Sequence, residues 1–293
     1  MEHLVSARKI RCREIAGRDI GAIADLLTRG FPHRSWDYWL SGLQRQTERA
    51  VPEGYPRYGY LLEAGGDAVG CILLMFSEKA ERQAITCNVA SWYVEKEFRS
   101  HASLLTAMAL KHKHVTYINV TPSPPTWPII EAQGFQRYCR GLYFSLPVLS
   151  RTGAASITVI AKGSAKPDDL RESDFKLLTR HAGYGCLSLV CRLPGREPLP
   201  FVFAPFRMRQ GRIPIPAVQL AYCRDVKDFV ACAGAIGRFL LGRGKPLVII
   251  DSNAPIAGLA GFYSEARGRK YFRGPNPPRL ADLTETELVL YGI

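Results

Sequence analysis

The residues with the clearest chemical potential lie between Trp92 and Leu105. There a strand-like segment runs through Trp92-Tyr93-Val94 into Glu95-Lys96-Glu97-Phe98-Arg99-Ser100-His101-Ala102-Ser103-Leu104-Leu105, which reads as the opening of a helix. Unpaired N–H groups at a helix N-terminus, together with the helix dipole, favour a phosphate. Arg99 adds a permanent positive charge. Tyr93, Glu95 and His101 are the titratable candidates nearby for acid–base work. Each also has a plain reading: Tyr93 as a half-buried strand residue, Glu95 as a solvated strand end, His101 as a first-turn helix residue.

Other chemistries find little support. The eight cysteines, at 12, 71, 87, 139, 186, 191, 223 and 232, include no Cys-x-x-Cys pair, and the six histidines do not complete a zinc set. They read as buried, reduced thiols, and no metal is expected. The chain has no Gly-x-Ser-x-Gly elbow, P-loop or dinucleotide fingerprint.

The 293 residues, 47% hydrophobic and 22% charged, have ordinary globular composition and room for two domains. The longest apolar run, Cys71 to Phe76, is far short of the roughly 18 residues of a membrane span. Met1–Lys9 lacks the apolar centre of a signal peptide. The expectation is a soluble, cytoplasmic protein with no membrane partner. The net charge is +13, of which residues 1–150 carry +4 and residues 151–293 carry +9. A basic surface attracts anionic partners, including phosphate-bearing cofactors.

Alternation at Ile10–Ile15 predicts a strand, and Asp19 is placed to cap a helix with Ile20, Ile23, Ala24, Leu26 and Leu27 on one face. A second helix is expected over Ser35–Arg49. Tyr58–Glu63, the Gly65-Gly66-Asp67 turn and Ala68–Ser77 read as a hairpin. A strand at Ala84–Val94, a helix at Ser100–Lys113 and a strand at Val115–Val120 follow. After the Pro122–Pro128 loop and one helical turn at Ile129–Ala132, Gly134-Phe135 leads into a strand at Arg137–Leu146. The order is β-α-α-β-β-β-α-β-α-β.

Residues 148–166 read as a linker region, with Ile157–Ala161 a candidate strand, and a looser second pass follows. Helices are expected at Asp168–His181 and Val226–Leu241, and strands at Cys186–Leu193, Leu199–Met208, Ile213–Cys223 and Leu247–Ile250. Ala102 falls opposite Ala233 and Gly134-Phe135 opposite Gly261-Phe262, an offset of about 130 residues that suits two copies of one domain and not a solenoid. The expected division is 1–147, a linker region at 148–166, and 167–293.

The element order closed by Gly134-Phe135, with Val94 and Arg99 through Leu104, resembles the GNAT superfamily of acyl-CoA-dependent N-acyltransferases. The resemblance implies an α/β (α+β) protein of two GNAT-like domains, each a mixed, mostly antiparallel sheet flanked by helices. It implies that Arg99, Ser100, His101, Ala102 and Ser103 hold the pyrophosphate of an acyl-CoA, acetyl-CoA foremost, with Asn119 a further cofactor contact. It also implies that the strand at Ala84–Val94 splays near its end and that a backbone N–H near Trp92–Val94 polarises the thioester carbonyl. The base that takes a proton from the amine is then Tyr93, Glu95 or His101.

Four positions depart from the family pattern: Ala102 replaces the first loop glycine, Leu104 a second small residue, Ile130 a proton-donating tyrosine, and Ser123 an asparagine. Without that tyrosine another acid is needed, or the thiolate leaves unassisted, as a thiol with pKa of about 8–9 can. In the second copy, Arg224–Ala233 has no glycine and carries Asp225 and Asp228 where phosphate would bind. Asp251-Ser252-Asn253 falls where the family often places CoA or substrate contacts. The basic segment Arg267–Arg273 and the polar Arg279, Asp282, Thr284 and Glu285 read as a surface hairpin and tail, or as the lining of an acceptor pocket.

The leading expectation is transfer of an acyl group from a CoA thioester to a primary amine in a ternary complex. The alternatives are a non-catalytic module that keeps the fold for binding or dimerisation, with a second copy of the chain as partner, and nucleic-acid binding by the basic C-terminal half. The last has no accompanying motif and is not the expected one.

Overall fold

The computed structural model describes residues 9–79, 84–151, 154–210 and 213–292, so Met1–Arg8 of the N-terminal reading and part of the linker region lie outside the described residues. Contacts divide the chain into two units, Met1–Asn119 with Arg273–Asn276, and Val120–Phe272 with Pro277–Ile293.

In the first unit, the alternating segment forms β1 (Ile10–Glu14), antiparallel to β2 (Gly59–Ala64) with Ile10 opposite Ala64 and Glu14 opposite Tyr60. Gly65 and Gly66, at φ 63° and 98°, make the two-residue turn into β3 (Asp67–Lys79), because left-handed backbone at both centres suits glycine. β3 pairs antiparallel with β4 (Ala84–Val94), and β4 pairs parallel with β5 (Thr116–Asn119). α1 (Ile20–Gly30) buries Ile23, Ala24, Leu26 and Leu27 and packs on β3 and β4. α2 (Trp36–Glu48) packs on α1 and is capped by Ser35, whose Oγ accepts the Tyr38 N–H at 3.2 Å.

Two local expectations are corrected. The Asp19 carboxylate does not cap α1: it accepts from both terminal nitrogens of Arg13, at 2.7 and 3.0 Å, and from Ala16 N–H at 2.8 Å. The charged partner outcompetes the cap. The single helix expected at 100–113 is a 3-10 turn, Lys96–His101, followed by α3 (Ala102–Ala109), which packs on β2 and β3. It ends where Leu110 N–H closes on Thr106 O and the His112 N–H turns to the Tyr117 hydroxyl at 3.2 Å.

The second unit holds α4 (Trp127–Ala132), β6 (Gln136–Cys139), β7 (Gly141–Ser145), β8 (Ser156–Ile160), α5 (Glu172–Gly183), β9 (Leu187–Arg192), β10 (Leu199–Gln210) and β11 (Ile213–Cys223). It continues through α6 (Val226–Leu241), β12 (Leu247–Ser252), β13 (Gly261–Ser264), β14 (Lys270–Arg273, whose last residue belongs with the first unit) and α7 (Glu287–Leu290). Seven strands form one sheet in the order β13-β7-β12-β11-β10-β9-β8, with β11–β12 the parallel pair. α5 packs on β8, β9 and β10, and α6 on β8 and β11. Phe201, Phe203, Phe229, Ile236 and Val248 lie in its core. The strand expected at Arg137–Leu146 is two strands. β6 pairs with β14, while β7 sits between β12 and β13, so the contact division falls ahead of residue 147.

The two units thus contain two mixed, mostly antiparallel sheets, each flanked by helices. Their parallel pairs share one spacing: Thr86, Cys87 and Asn88 lie opposite Thr116, Tyr117 and Ile118, and Ala217, Val218 and Gln219 lie opposite Leu247, Val248 and Ile249. None of the eight cysteines forms a disulfide, and all but Cys12 are buried; burial alone pushes the Cys71 thiol up to about 12, far from thiolate chemistry. Among the described residues no helix is long and apolar enough to cross a membrane, and no His, Cys, Asp and Glu cluster is arranged for a metal.

The reading of Arg267–Arg273 as a surface hairpin is corrected, because Lys270 and Tyr271 are buried. Lys270 Nζ lies 2.9 Å from Asp251 Oδ1, which also accepts from Gln219 Nε2 at 3.1 Å. Burial, the largest single influence, pulls the lysine pKa down, but the charge and hydrogen bond of Asp251, together with Cys139 and Glu287, more than offset it and the net shift is upward. Removing one partner strands the other charge in the core, so Lys270→Ala should lose about 3–5 kcal/mol in urea denaturation at pH 7. With a raised folded pKa, the contribution is complete below the unfolded lysine value of about 10.4 and fades as pH rises through the folded one.

Candidate functional site

The first unit's site begins where its sheet stops being continuous. β4 and β5 share three opposed pairs, ending at Asn88 and Ile118. Beyond them β4 runs on to Val94, and among the described strands of this unit none pairs with it on that side. Within the unpaired stretch β4 bulges. Cys71 lies opposite Tyr93 and Leu73 opposite Ala90, so β4 carries one residue more than β3. Ser91 takes up the excess at φ 49°, in the left-handed region that L side chains seldom adopt.

The bulge sets where the backbone donors point. Glu95 N–H donates to Val69 O at 2.9 Å, on the β3 side. Successive strand N–H groups alternate in direction, so the Val94 N–H faces the side that β5 has left. The same strand carries Trp92, whose indole N–H is buried without a hydrogen-bond partner.

The three titratable candidates fall in different settings. Tyr93 is half-buried, its ring pressed against the last residue of α1: a Cβ on Gly30 would lie 2.5 Å from it, so only glycine fits. Phe31 stands 6.1 Å from the Tyr93 ring and 5.5 Å from Trp39, so the α1–α2 junction puts an aromatic wall beside β4. Glu95 accepts from Arg29 Nη2 at 2.8 Å, and both line a polar cleft of about 340 Å³ with Asp25, Asp67, Val69 and Phe98. His101 Nδ1 lies 3.1 Å from Ser100 Oγ. Gly30, Phe31 and Arg29 were not legible as site residues. The one available signal was the helix ending just before Phe31, with Trp36 and Trp39 beyond.

The helix opening differs from the expected open loop. Phe98 N–H donates to Glu95 O at 2.9 Å and Ala102 N–H to Arg99 O, so the 3-10 turn uses amides that an anion would otherwise take. The groups left outward are the side chains of Arg99, Ser100 and Ser103, all exposed, with Ala102 half-buried among them. Leu104 is 43% exposed beside them. Asn119, half-buried, ends β5. In the second unit Ile130 is buried in α4, and Ser123 precedes a 3-10 turn at Pro124–Thr126. The N-terminus of α6 is capped by Asp225, whose Oδ1 accepts the Lys227 N–H at 2.8 Å, so a carboxylate holds that helix end.

Relief of left-handed strain should be measurable. Ser91→Gly keeps the bulge without a Cβ and is expected to stabilise the protein by about 1 kcal/mol, read as a higher urea midpoint. A loss of stability would show that the serine side chain holds the bulge.

No protein-family model and no curated protein matches the sequence. Solved structures do match in fold. A candidate acetyltransferase from Pyrococcus horikoshii is 13% identical at TM-score 0.56, over 100% of this chain and 97% of its own. A GCN5-related N-acetyltransferase from Kribbella flavida is 12% identical at TM-score 0.56, over 91% and 71%. A tandem GNAT protein from the clavulanic acid biosynthesis pathway is 14% identical at TM-score 0.54, over 92% and 100%. At these identities the likeness is one of fold: two GNAT-like sheet domains in one chain.

Proposed function

We propose that the chain is an acyl-CoA-dependent N-acyltransferase that moves an acyl group, acetyl foremost, to a primary amine in a ternary complex. The observation that carries this reading is the bulged end of β4 beside the parted β5, where a backbone N–H faces a gap in the sheet. The residues fit an acyl-CoA at the thioester end: the Val94 N–H is aimed at the gap, and the Trp92 indole N–H is a buried donor without a partner. At the phosphate end Arg99, Ser100 and Ser103 offer side chains where free amides were expected, with His101 and Ala102 beside them. Asn119 at the end of β5 is the remaining cofactor contact in this proposal.

Acyl-CoA, when bound, supplies an activated thioester carbonyl and a thiol leaving group whose pKa of about 8–9 needs little help to depart. The Val94 N–H acts as a one-donor oxyanion site, held by the strand so that no reorganisation is needed as charge develops. One of Tyr93, Glu95 and His101 takes the ammonium proton, directly or through water. Glu95 is tied to Arg29, so as base it would have to give up an ion pair. Tyr93 stands on the wall formed by Phe31 and Trp39, which suits an acceptor with an apolar portion. Ile130 has no proton to give, so the acid is another group or none.

A second reading, a module that keeps the fold to bind or dimerise, is favoured by the self-bonded 3-10 turn and the exposed Leu104. Calorimetric titration with acetyl-CoA separates the two. We expect micromolar binding, weakened about tenfold by Arg99→Ala and by raised salt, since an exposed guanidinium carries the phosphate end. No heat at millimolar acetyl-CoA would favour the second reading. Once an acceptor amine is found, Tyr93→Phe, Glu95→Gln and His101→Ala should divide: the base variant loses at least about 100-fold in kcat, the other two far less.

A further inference from the structure

In the second unit, the counterpart of the gap beside β4 is filled by the chain itself. β11 and β12 share three opposed pairs, ending at Gln219 and Ile249, and β11 then continues to Cys223. It too bulges: Val202 lies opposite Tyr222 and Phe203 opposite Leu220, leaving Ala221 as the extra residue. Here, however, the edge that β12 leaves has a partner. Leu283 N–H donates to Ala221 O at 2.7 Å, Cys223 N–H donates to Ala281 O at 3.2 Å, and Tyr222 and Asp282 form an antiparallel bridge.

The segment is locked in place. Arg279 Nη1 donates to Cys223 O at 2.5 Å and Arg224 O at 3.1 Å, and its guanidinium lies 5.0 Å from the Tyr222 ring centroid. Ala281 and Leu283 are buried, and Ala281 and Glu285 hold φ of 56° and 61°, so the backbone bends sharply on either side of Asp282–Thr284. Glu285 is paired with Arg180 of α5 at 2.9 Å. At the adjoining helix end, the Asp225 carboxylate already accepts one of the first amides of α6, the Lys227 N–H.

We propose that residues 279–285 are a built-in occupant of the second unit's counterpart of the acyl-CoA groove, so that the chain takes up one acyl-CoA, not two. This rests on reading the β4 gap as the cofactor site of the first unit. The C-terminal segment presents to β11 the backbone donor and acceptor pattern that an extended amide-bearing ligand would present, and it is covalently attached, so it competes at an effective concentration that a free ligand does not reach.

The test combines two measurements on the full chain. Equilibrium dialysis against labelled acetyl-CoA should give one equivalent bound per chain, lost or weakened in Arg99→Ala. Amide hydrogen exchange should show Leu283 and Cys223 protected to the level of the β10–β11 core. Arg279→Ala, which removes the guanidinium contacts and leaves the first unit untouched, should speed exchange at both amides at least tenfold while acetyl-CoA affinity stays within twofold. Two equivalents bound to the native chain, or rapid exchange at Leu283, would overturn the proposal and leave the β4 reading standing. No binding at all, with Leu283 still protected, would overturn the β4 reading and the one-per-chain count together while leaving the tail contact intact.

Discussion

The parallel pairing of β4 and β5 is the constraint from which the rest of the first unit follows. Parallel strands need a crossover of a dozen or more residues, and here the 3-10 turn and α3 supply it. Opposed residues lie 30 positions apart and only three such pairs form, so the two strands separate before β4 ends. A strand that outlasts its partner exposes backbone donors and acceptors, which in an interior must find ligands. The bulge at Ser91 then shifts the register of those groups relative to β3. Chemistry at such a place is backbone chemistry, so it asks little of side-chain identity. That explains how a fold can persist where identity to solved structures is 14% or less.

The same constraint, met twice, gives two outcomes. Both units keep the 30-position spacing and the bulge, but in the first the exposed edge belongs to β4 near Trp92–Val94 and in the second it is paired by residues 281–283. An edge left by its neighbouring strand carries unpaired backbone groups that cost stability until something covers them. The C-terminal segment meets that need without a ligand. The buried Lys270–Asp251 pair beside Gln219 is a further polar group of the second unit turned to structural use.

Much of the fold was legible because periodicity and turn residues dictate it. The alternation at Ile10–Glu14, the Gly65-Gly66 turn and the Ser35 cap each name an element with a local cause. What failed was decided at a distance. Asp19 has the residue type of a cap, yet Arg13, six residues away, takes its carboxylate. Lys270 looks like a surface charge until Asp251 is brought 2.9 Å from it. Arg140 marks no break in the pattern, yet β6 and β7 on either side of it go to different partners. The candidate site was open to reading from sequence where its proposed residues lie on one stretch of chain, from Trp92 to Ser103. Its neighbours Arg29 and Gly30 at the end of α1, and Phe31 just after it, come more than sixty residues earlier, and no local signal ties them to it.

The central claim is that a thioester carbonyl sits against the Val94 N–H. The direct measurement is the backbone amide resonance of Val94 in deuterated, valine-labelled protein during titration with acetyl-CoA. The account predicts a saturable shift at Val94 larger than at Val218 of β11, with coenzyme A lacking the acyl group producing a smaller one. An unmoved Val94 resonance at saturating acetyl-CoA, or shifts confined to the second unit, would contradict it.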